Sequence, residues 1–379
     1  MKHEYPDSKS DLFAAFIERA VSLLKRHGYM AQVTMQSWMF LSSYERLRSK
    51  LQRDAAIVAM LHMDNMVMRI AFGTCATIWK IGGNSRLPGK YTWMELDDLA
   101  GESPRRFPAR NPRNTSAGSD GFFTVSQRDM NEIPGSPIVY WLSEKMRATF
   151  SEGRPLSKLV DLRVGLRTGD NDRFLRYWWE VSGKRSAFHC DSLEDAEASG
   201  ARWFPYNKGG SFRRWFGNHE YVVNWEHDGH EIEHGLAERY PYLVPAGKTL
   251  VRGQGRDRYF SPSVSWSKVS SGVPAFRVYP PGFVYDVAGT SIFSSTSRDR
   301  YRLLAFVNSL VALEQLAALA PTLNFEVGQV ACLPLVESGS ECIEILAEGA
   351  VETSRLDWNM SETSWNFSGN ALVSQARNS

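Results

Sequence analysis

Long apolar runs are absent. No stretch stays apolar for the ~18 residues that a membrane-spanning helix needs, so no membrane span is expected. The opening residues, Met1-Lys2-His3-Glu4-Tyr5-Pro6-Asp7, lack the apolar core of a secretion signal. Cysteine is scarce: Cys75, Cys190, Cys332 and Cys342 fit neither a disulfide framework nor a Cys-x-x-Cys metal knuckle. A reduced, cytoplasmic protein is the expectation. An excess of either charge is also missing, since 44 basic residues nearly balance 42 acidic ones and leave a net +2. Total charge therefore does not mark a nucleic-acid binder, and no internal repeat is visible.

What the chain has is local. Its 379 residues allow two or three domains. Between Asp11 and Arg26, Leu12, Phe13, Phe16, Ile17, Ala20, Leu23 and Leu24 recur at three- and four-residue spacings, which predicts a helix with one apolar face. Ser8 or Ser10 suits its N-cap, and Gly28 suits the left-handed residue that ends it. Residues 29–34 then read as a buried strand, so the segment is an α-to-β step of a doubly wound sheet. A short helix follows over Ser43 to Gln52, then an apolar run from Ala55 to Met63. Residues 67–72 and 75–79 read as a hairpin turning at Gly73-Thr74. Residues 103–121 are rich in proline, glycine, serine and arginine and read as a linker. Beyond it short strand-like runs alternate with glycine turns, and an apolar helix returns near Arg302 to Leu319.

Several words of the sequence occur together and in order. Met35-Gln36-Ser37-Trp38-Met39-Phe40-Leu41-Ser42-Ser43-Tyr44-Glu45 follows the first strand. Phe123-Thr124-Val125-Ser126-Gln127, Ile133-Pro134-Gly135-Ser136-Pro137 and Tyr140-Trp141 come after the linker. Then come Gly165-Leu166-Arg167-Thr168-Gly169-Asp170-Asn171-Asp172-Arg173-Phe174, Trp203 to Gly210, Trp266-Ser267-Lys268, Phe283 to Phe293, Pro321 to Gly328 and Asp357-Trp358-Asn359. This series resembles the PglX family, the adenine-specific DNA methyltransferases of BREX phage-defence systems. The resemblance implies an α/β fold: the C-terminal part of a Rossmann-like methyltransferase sheet, then a mixed α/β target-recognition domain. It implies residues 1–100 in the methyltransferase part, 101–121 as linker, 122–335 as the DNA-recognition domain and 336–379 as the start of a truncated helical region.

It also implies S-adenosylmethionine as cofactor and double-stranded DNA as partner. Such enzymes hold the cofactor on a glycine-rich turn, because glycine permits close backbone approach. They receive the flipped adenine on an Asn-Pro-Pro-Tyr motif, whose polar groups meet the amino group and whose ring stacks on the base. Neither motif is in this sequence. Asn111-Pro112-Arg113-Asn114 lacks the second proline and the aromatic residue, and Phe72-Gly73-Thr74-Cys75 is no dinucleotide-type turn. The tail after Phe367 no longer resembles the family. The expectation is a chain without catalytic or cofactor-binding residues, inactive alone. Its missing methyltransferase half, and other BREX proteins, are the expected partners. A non-catalytic DNA-binding subunit, decoy or gene remnant is the alternative.

Candidate DNA contacts follow from charge and from the resemblance. Four basic residues and no acid lie between Arg202 and Arg214, and five basic residues with one acid lie between Lys248 and Lys268. The candidates are Thr168, Gly169, Asn171, Asp172 and Arg173 in the loop that opens the recognition region. Lys208, Arg213 and Arg214 follow, and then Arg252, Arg256, Arg258 and Lys268. The aromatic residues among them (Trp203, Phe204, Tyr206, Phe212, Trp215, Phe216) are expected to pack inside. His230-Glu231-Ile232-Glu233-His234 fits a zinc-peptidase pattern, in which histidines four apart on a helix share one metal. His227-Asp228-Gly229 before it reads as a turn, and no metal is expected.

Overall fold

The computed structural model describes residues 3–100, 103–104, 122–246, 255–270, 272–321, 324–336 and 342–369. The chain divides into two compact units, Met1–Arg154 with Gln315–Pro321, and Pro155–Glu314 with Thr322–Ser379. The expected linker lies almost wholly outside the described residues, as does Asn111-Pro112-Arg113-Asn114. The division between units falls later than that linker, because the strand after it completes the first sheet.

The first unit opens with α1 (Leu12–Leu23), shorter than its apolar spacing predicts. Asp11, not Ser8 or Ser10, caps it, its carboxylate accepting the Leu12 N–H at 2.6 Å. Ser8 is instead buried and donates to the Glu18 carboxylate at 2.6 Å. The left-handed residue after the helix is His27 (φ 68°) rather than Gly28. Only one edge of the apolar face is covered: Ala14 and Ile17 are buried, whereas Leu12, Phe16 and Leu23 stay exposed.

A five-stranded sheet follows, ordered β1-β3-β2-β4-β5, from β1 (Tyr29–Met35), β2 (Ala55–Met63), β3 (Thr74–Ile81), β4 (Pro88–Met94) and β5 (Phe122–Ser126). All neighbours are antiparallel except β2 and β4. The hairpin therefore joins β2 to β3, and residues 67–72 form no strand. Met66 and Arg69 both take positive φ (66° and 59°), and the Met66 N–H donates to the Ile70 carbonyl at 2.8 Å. That compact turn is incompatible with an extended run. A Cβ at Gly73 would lie 2.3 Å from the end of the Gln36 side chain, which would have to move to admit it.

Alternation along the strands sorts the side chains to two faces. One carries the aromatic core: Trp38, Trp79, Tyr91, Trp93, Phe123 and Tyr140. Several polar groups inside it are paired, whereas the Tyr91 hydroxyl is buried without a hydrogen-bond partner among the described residues. Trp38 Nε1 donates to Thr34 Oγ1 at 3.1 Å, and the His62 ring bonds the Tyr140 hydroxyl at 3.0 Å and the Gln36 side chain. The buried Arg48 guanidinium is held by the carbonyls of Trp38, Leu41 and Gly135. The other face is open, an apolar depression of about 520 Å³ lined by Ala31, Val33, Leu61, Ile78, Lys90 and Phe122 among others.

The second unit has two four-stranded sheets. The first is ordered β7-β9-β8-β12: β7 (Leu175–Tyr177), β8 (Trp203–Asn207), β9 (Tyr221–Asn224) and β12 (Val284–Tyr285). The second is ordered β11-β10-β13-β6: β6 (Asp161–Arg163), β10 (Ser263–Trp266), β11 (Phe276–Tyr279) and β13 (Ser291–Phe293). Phe174, Phe204, Tyr206, Ile232, Phe260, Tyr285 and Phe293 form its main core. The mixed α/β fold expected from the sequence is what the chain has. The single apolar helix expected over Arg302 to Leu319 is two, Ser297–Val307 and Leu310–Leu319. They part after Asn308, whose carboxamide leaves the helix to bond the Phe276 backbone, accepting its N–H at 3.1 Å and donating to its carbonyl at 2.9 Å. No single helix among the described residues is long and apolar enough to cross a membrane.

Candidate nucleic-acid interface

The loop from Thr168 to Arg173 is a helix start, made by its own polar residues. Asp170 accepts the Arg173 N–H at 3.1 Å and caps the short helix α2 (Asn171–Phe174). The Thr168 hydroxyl, buried beneath it, donates to the Asn171 carboxamide oxygen at 2.5 Å. Gly169 takes φ 71°, and a Cβ there would strike Leu236. Arg239, not singled out from the sequence, donates to the Gly169 carbonyl and closes the loop against α3 (Glu226–Arg239). Thr168 and Gly169 therefore build the turn, while Asn171, Asp172 and Arg173 face solvent from it. The Arg173 guanidinium rests over the Phe174 ring, 4.9 Å from its centroid.

The second basic group converges around the Gly209-Gly210 turn. Lys208 sits 2.6 Å from the carboxylate of Asp286, a nearly buried residue that also accepts from Tyr206 Oη and Ala288 N, both at 2.7 Å. Lys208 is thus neutralised within the unit. Lys268 is 2.9 Å from Glu326. Arg213 lies 4.8 Å from the Trp358 ring centroid and only 3.7 Å from the well-exposed Asp357, while Arg214 lies over Phe212 at 5.6 Å. Under this turn lies Arg277, fully buried on β11 and overlooked in the sequence reading. Its signal was legible in principle, as the one charge inside Phe276-Arg277-Val278-Tyr279. Burial first, and the Arg277 charge second, push the pKa of the neighbouring His219 down to about 3. Of the six aromatic residues of the stretch expected to pack inside, Phe204, Tyr206 and Phe216 are buried, Trp203 and Trp215 are half-buried, and Phe212 is 61% exposed.

The third group is matched by carboxylates. Arg256 grips Asp228 through Nε at 3.0 Å to each oxygen, which raises its pKa further. Arg258 and Arg163 both reach Asp161, at 2.8 and 2.9 Å. Arg252 lies outside the described residues. Of the described candidates, Arg173 and Arg214 have no carboxylate in contact and Arg213 only the exposed Asp357; Arg277 likewise meets no carboxylate among the described residues.

The histidine pattern lies on α3, with the His230 and His234 rings stacked 6.4 Å apart. Glu231, the residue a zinc peptidase would use as base, accepts from Asn224 at 3.0 Å and from Arg202 at 3.4 Å. His227, Asp228 and Gly229 all take left-handed φ (53°, 59° and 75°), which turns His227 out of the helical register. Among the described residues no three His, Cys, Asp or Glu side chains converge as metal ligands. Among the described residues, the Gln36 side chain fills the space beside Gly73, and the open sheet face is lined mainly by apolar side chains.

Residues 1–67 match the family model of the Eco57I restriction-modification methylase. The whole chain is 36% identical over 386 residues to the adenine-specific methyltransferase BrxX of Escherichia coli O9:H4 (strain HS), covering 29% of that protein. It is 34% identical over 377 residues to the adenine-specific methyltransferase PglX of Lacticaseibacillus casei (strain Zhang), covering 97% of this chain and 30% of that one. The chain thus spans about three-tenths of the length of these relatives. In fold it is similar to the Type IIL restriction-modification enzyme MmeI, solved in complex with DNA. That match has a TM-score of 0.54 at 12% identity and covers 93% of this chain and 45% of that one. The likeness to adenine-specific methyltransferases read from the sequence extends further than expected: the match to BrxX covers 100% of this chain, including the tail after Phe367, where the sequence reading saw none.

Proposed function

We propose that this chain, similar from end to end to PglX-type methyltransferases, is the DNA-reading part of an S-adenosylmethionine-dependent adenine-N6 DNA methyltransferase serving BREX phage defence. The observation that carries the reading is the full-length match to two adenine-specific methyltransferases. The likeness of fold to an enzyme solved on DNA supports it. In this reading the second unit holds the duplex and sets its register, while residues outside this chain bind the cofactor and receive the flipped adenine.

The contacts proposed are Asn171, Asp172 and Arg173 at the start of α2, and Arg213 and Arg214 beside the Gly209-Gly210 turn. Asn171 offers its carboxamide N–H donors, its oxygen being engaged by the Thr168 hydroxyl, and the arginines suit phosphate or guanine. Lys208, Lys268, Arg256 and Arg258 are proposed to hold the surface in shape, because each already faces a carboxylate.

The test is a methylation assay with labelled S-adenosylmethionine on unmodified DNA, with this chain alone and together with a chain carrying the cofactor turn and Asn-Pro-Pro-Tyr. Activity only with both chains is the expected result. Activity from this chain alone overturns the division of labour. Duplex binding without activity in either case favours a non-catalytic DNA-binding protein.

A further inference from the structure

We propose that the Gly209–Arg214 turn grips a backbone phosphate of DNA through its main-chain N–H groups, with buried Arg277 as the residue that holds the turn in shape. This rests on the DNA-reading role proposed above and names the chemistry of one of its contacts.

Three carbonyls of the turn are pulled toward the body of the unit. Gly210 O accepts from Ser267 Oγ at 2.8 Å, Ser211 O from Asn218 Nδ2 at 2.9 Å, and Arg213 O from Arg277 Nη1 at 3.4 Å. A trans peptide places its C=O and its N–H on opposite sides of the chain. The N–H groups of Ser211, Phe212 and Arg214, which share those three peptide planes, therefore point away from the anchors. None of the three donates to an acceptor among the described residues. Ser211 and Phe212 are exposed. Successive outward N–H groups make a concavity suited to an anion, and a phosphodiester oxygen is the anion that duplex DNA presents.

The turn is built to keep this geometry. Gly209 and Gly210 take φ of 82° and 117°, open only to glycine without strain. Trp215 runs beside β11, its N–H donating to Phe276 O at 3.0 Å and its carbonyl accepting from Val278 N at 2.9 Å. Arg277 ties the parts together: Nη2 donates to Ser267 Oγ at 2.9 Å and Nε to Tyr279 Oη at 3.2 Å. None of its contacts among the described residues is a carboxylate, so a fully buried cation lies under the turn with no counter-charge among them. A buried cation in that state attracts any anion that the surface admits. Its charge and the N–H dipoles act in the same direction.

The experiment uses the whole chain and a labelled duplex, read by fluorescence anisotropy, with hydrogen exchange of residues 209–215 followed in parallel. In the free protein these amides should exchange fast, and duplex should slow them. Phe212→Pro deletes one outward N–H, while Phe212→Ala deletes the ring and keeps the N–H. Both variants remove the ring beneath Arg214, so the difference between them reports the N–H: binding should be weaker by about fivefold in the proline variant than in the alanine variant. Wild-type binding with no slowing of exchange, or equal loss in both variants, overturns the phosphate turn while leaving DNA binding intact. Failure of the wild-type chain to bind any duplex overturns the DNA-reading proposal itself. Should Phe212→Pro not fold, the exchange measurement on the wild-type chain decides alone.

Discussion

Replacing Lys208 by methionine separates two roles that a lysine in a basic stretch could have. The ammonium lies 2.6 Å from a carboxylate, and the two side chains are 28% and 3% exposed. Removing one partner of a buried pair typically costs about 3–5 kcal/mol, because the other charge stays behind unmatched. Here Asp286 keeps the Tyr206 hydroxyl and the Ala288 N–H, and water reaches the lysine's end of the pair. The expected loss is therefore about 2–3 kcal/mol. For a unit of this size that lowers Tm by about 4–12 °C. The double variant Lys208→Met with Asp286→Asn should regain about half of the loss, since no charge is then stranded. Thermal melts of the three variants measure this, and anisotropy on duplex DNA over a salt series measures the other role. The slope of log affinity against log salt should stay as in the wild type, whereas losing a phosphate contact would reduce it by about 0.9. An unchanged Tm with a shallower salt slope would refute the internal pairing and return Lys208 to the DNA surface.

Three further outcomes are expected. His219 is held neutral in the folded chain with its pKa near 3, against about 6.5 when unfolded. The unfolded chain then takes up the extra proton as pH falls below about 6.5, so stability drops toward pH 3 by about 1.4 kcal/mol per unit. Urea unfolding at pH 7 and pH 5 should show this drop, and His219→Phe should flatten it; an identical pH dependence in the variant would refute the assignment. A Cβ at Gly165 would lie 1.8 Å from the Tyr285 carbonyl, which accepts the Leu166 N–H at 2.9 Å, so Gly165→Ala should destabilise by about 3 kcal/mol. An unchanged urea midpoint would show that the backbone relaxes there freely. Val33→Lys with Ile78→Lys, both on the open sheet face, should raise solubility and change stability by no more than about 0.5 kcal/mol. A large fall in Tm would mean that this face is covered.

Periodicity and motif order made much of the chain legible. The helix after Asp11, the strand from Tyr29, the apolar strand Ala55 to Met63 and the left-handed His227-Asp228-Gly229 turn all follow from local chemistry, which acts within a few residues. The ordered words from Met35 to Asp357 carried the likeness to adenine-specific methyltransferases, because their identity and order do not depend on how the chain packs. Tertiary structure decided the rest. Val67 to Phe72 has strand-like composition, yet β2 takes the place beside β3 because its longer apolar run buries more surface against the aromatic core. Nor does charge along the chain reveal which cation has an anion. Lys208 and Arg256 read like Arg213 and Arg214 until folding brings Asp286, distant by 78 positions, and Asp228, distant by 28, against the first two. Arg277 enters the proposed interface for the same reason: a charge inside a strand acquires its meaning only from the loop that the fold lays over it.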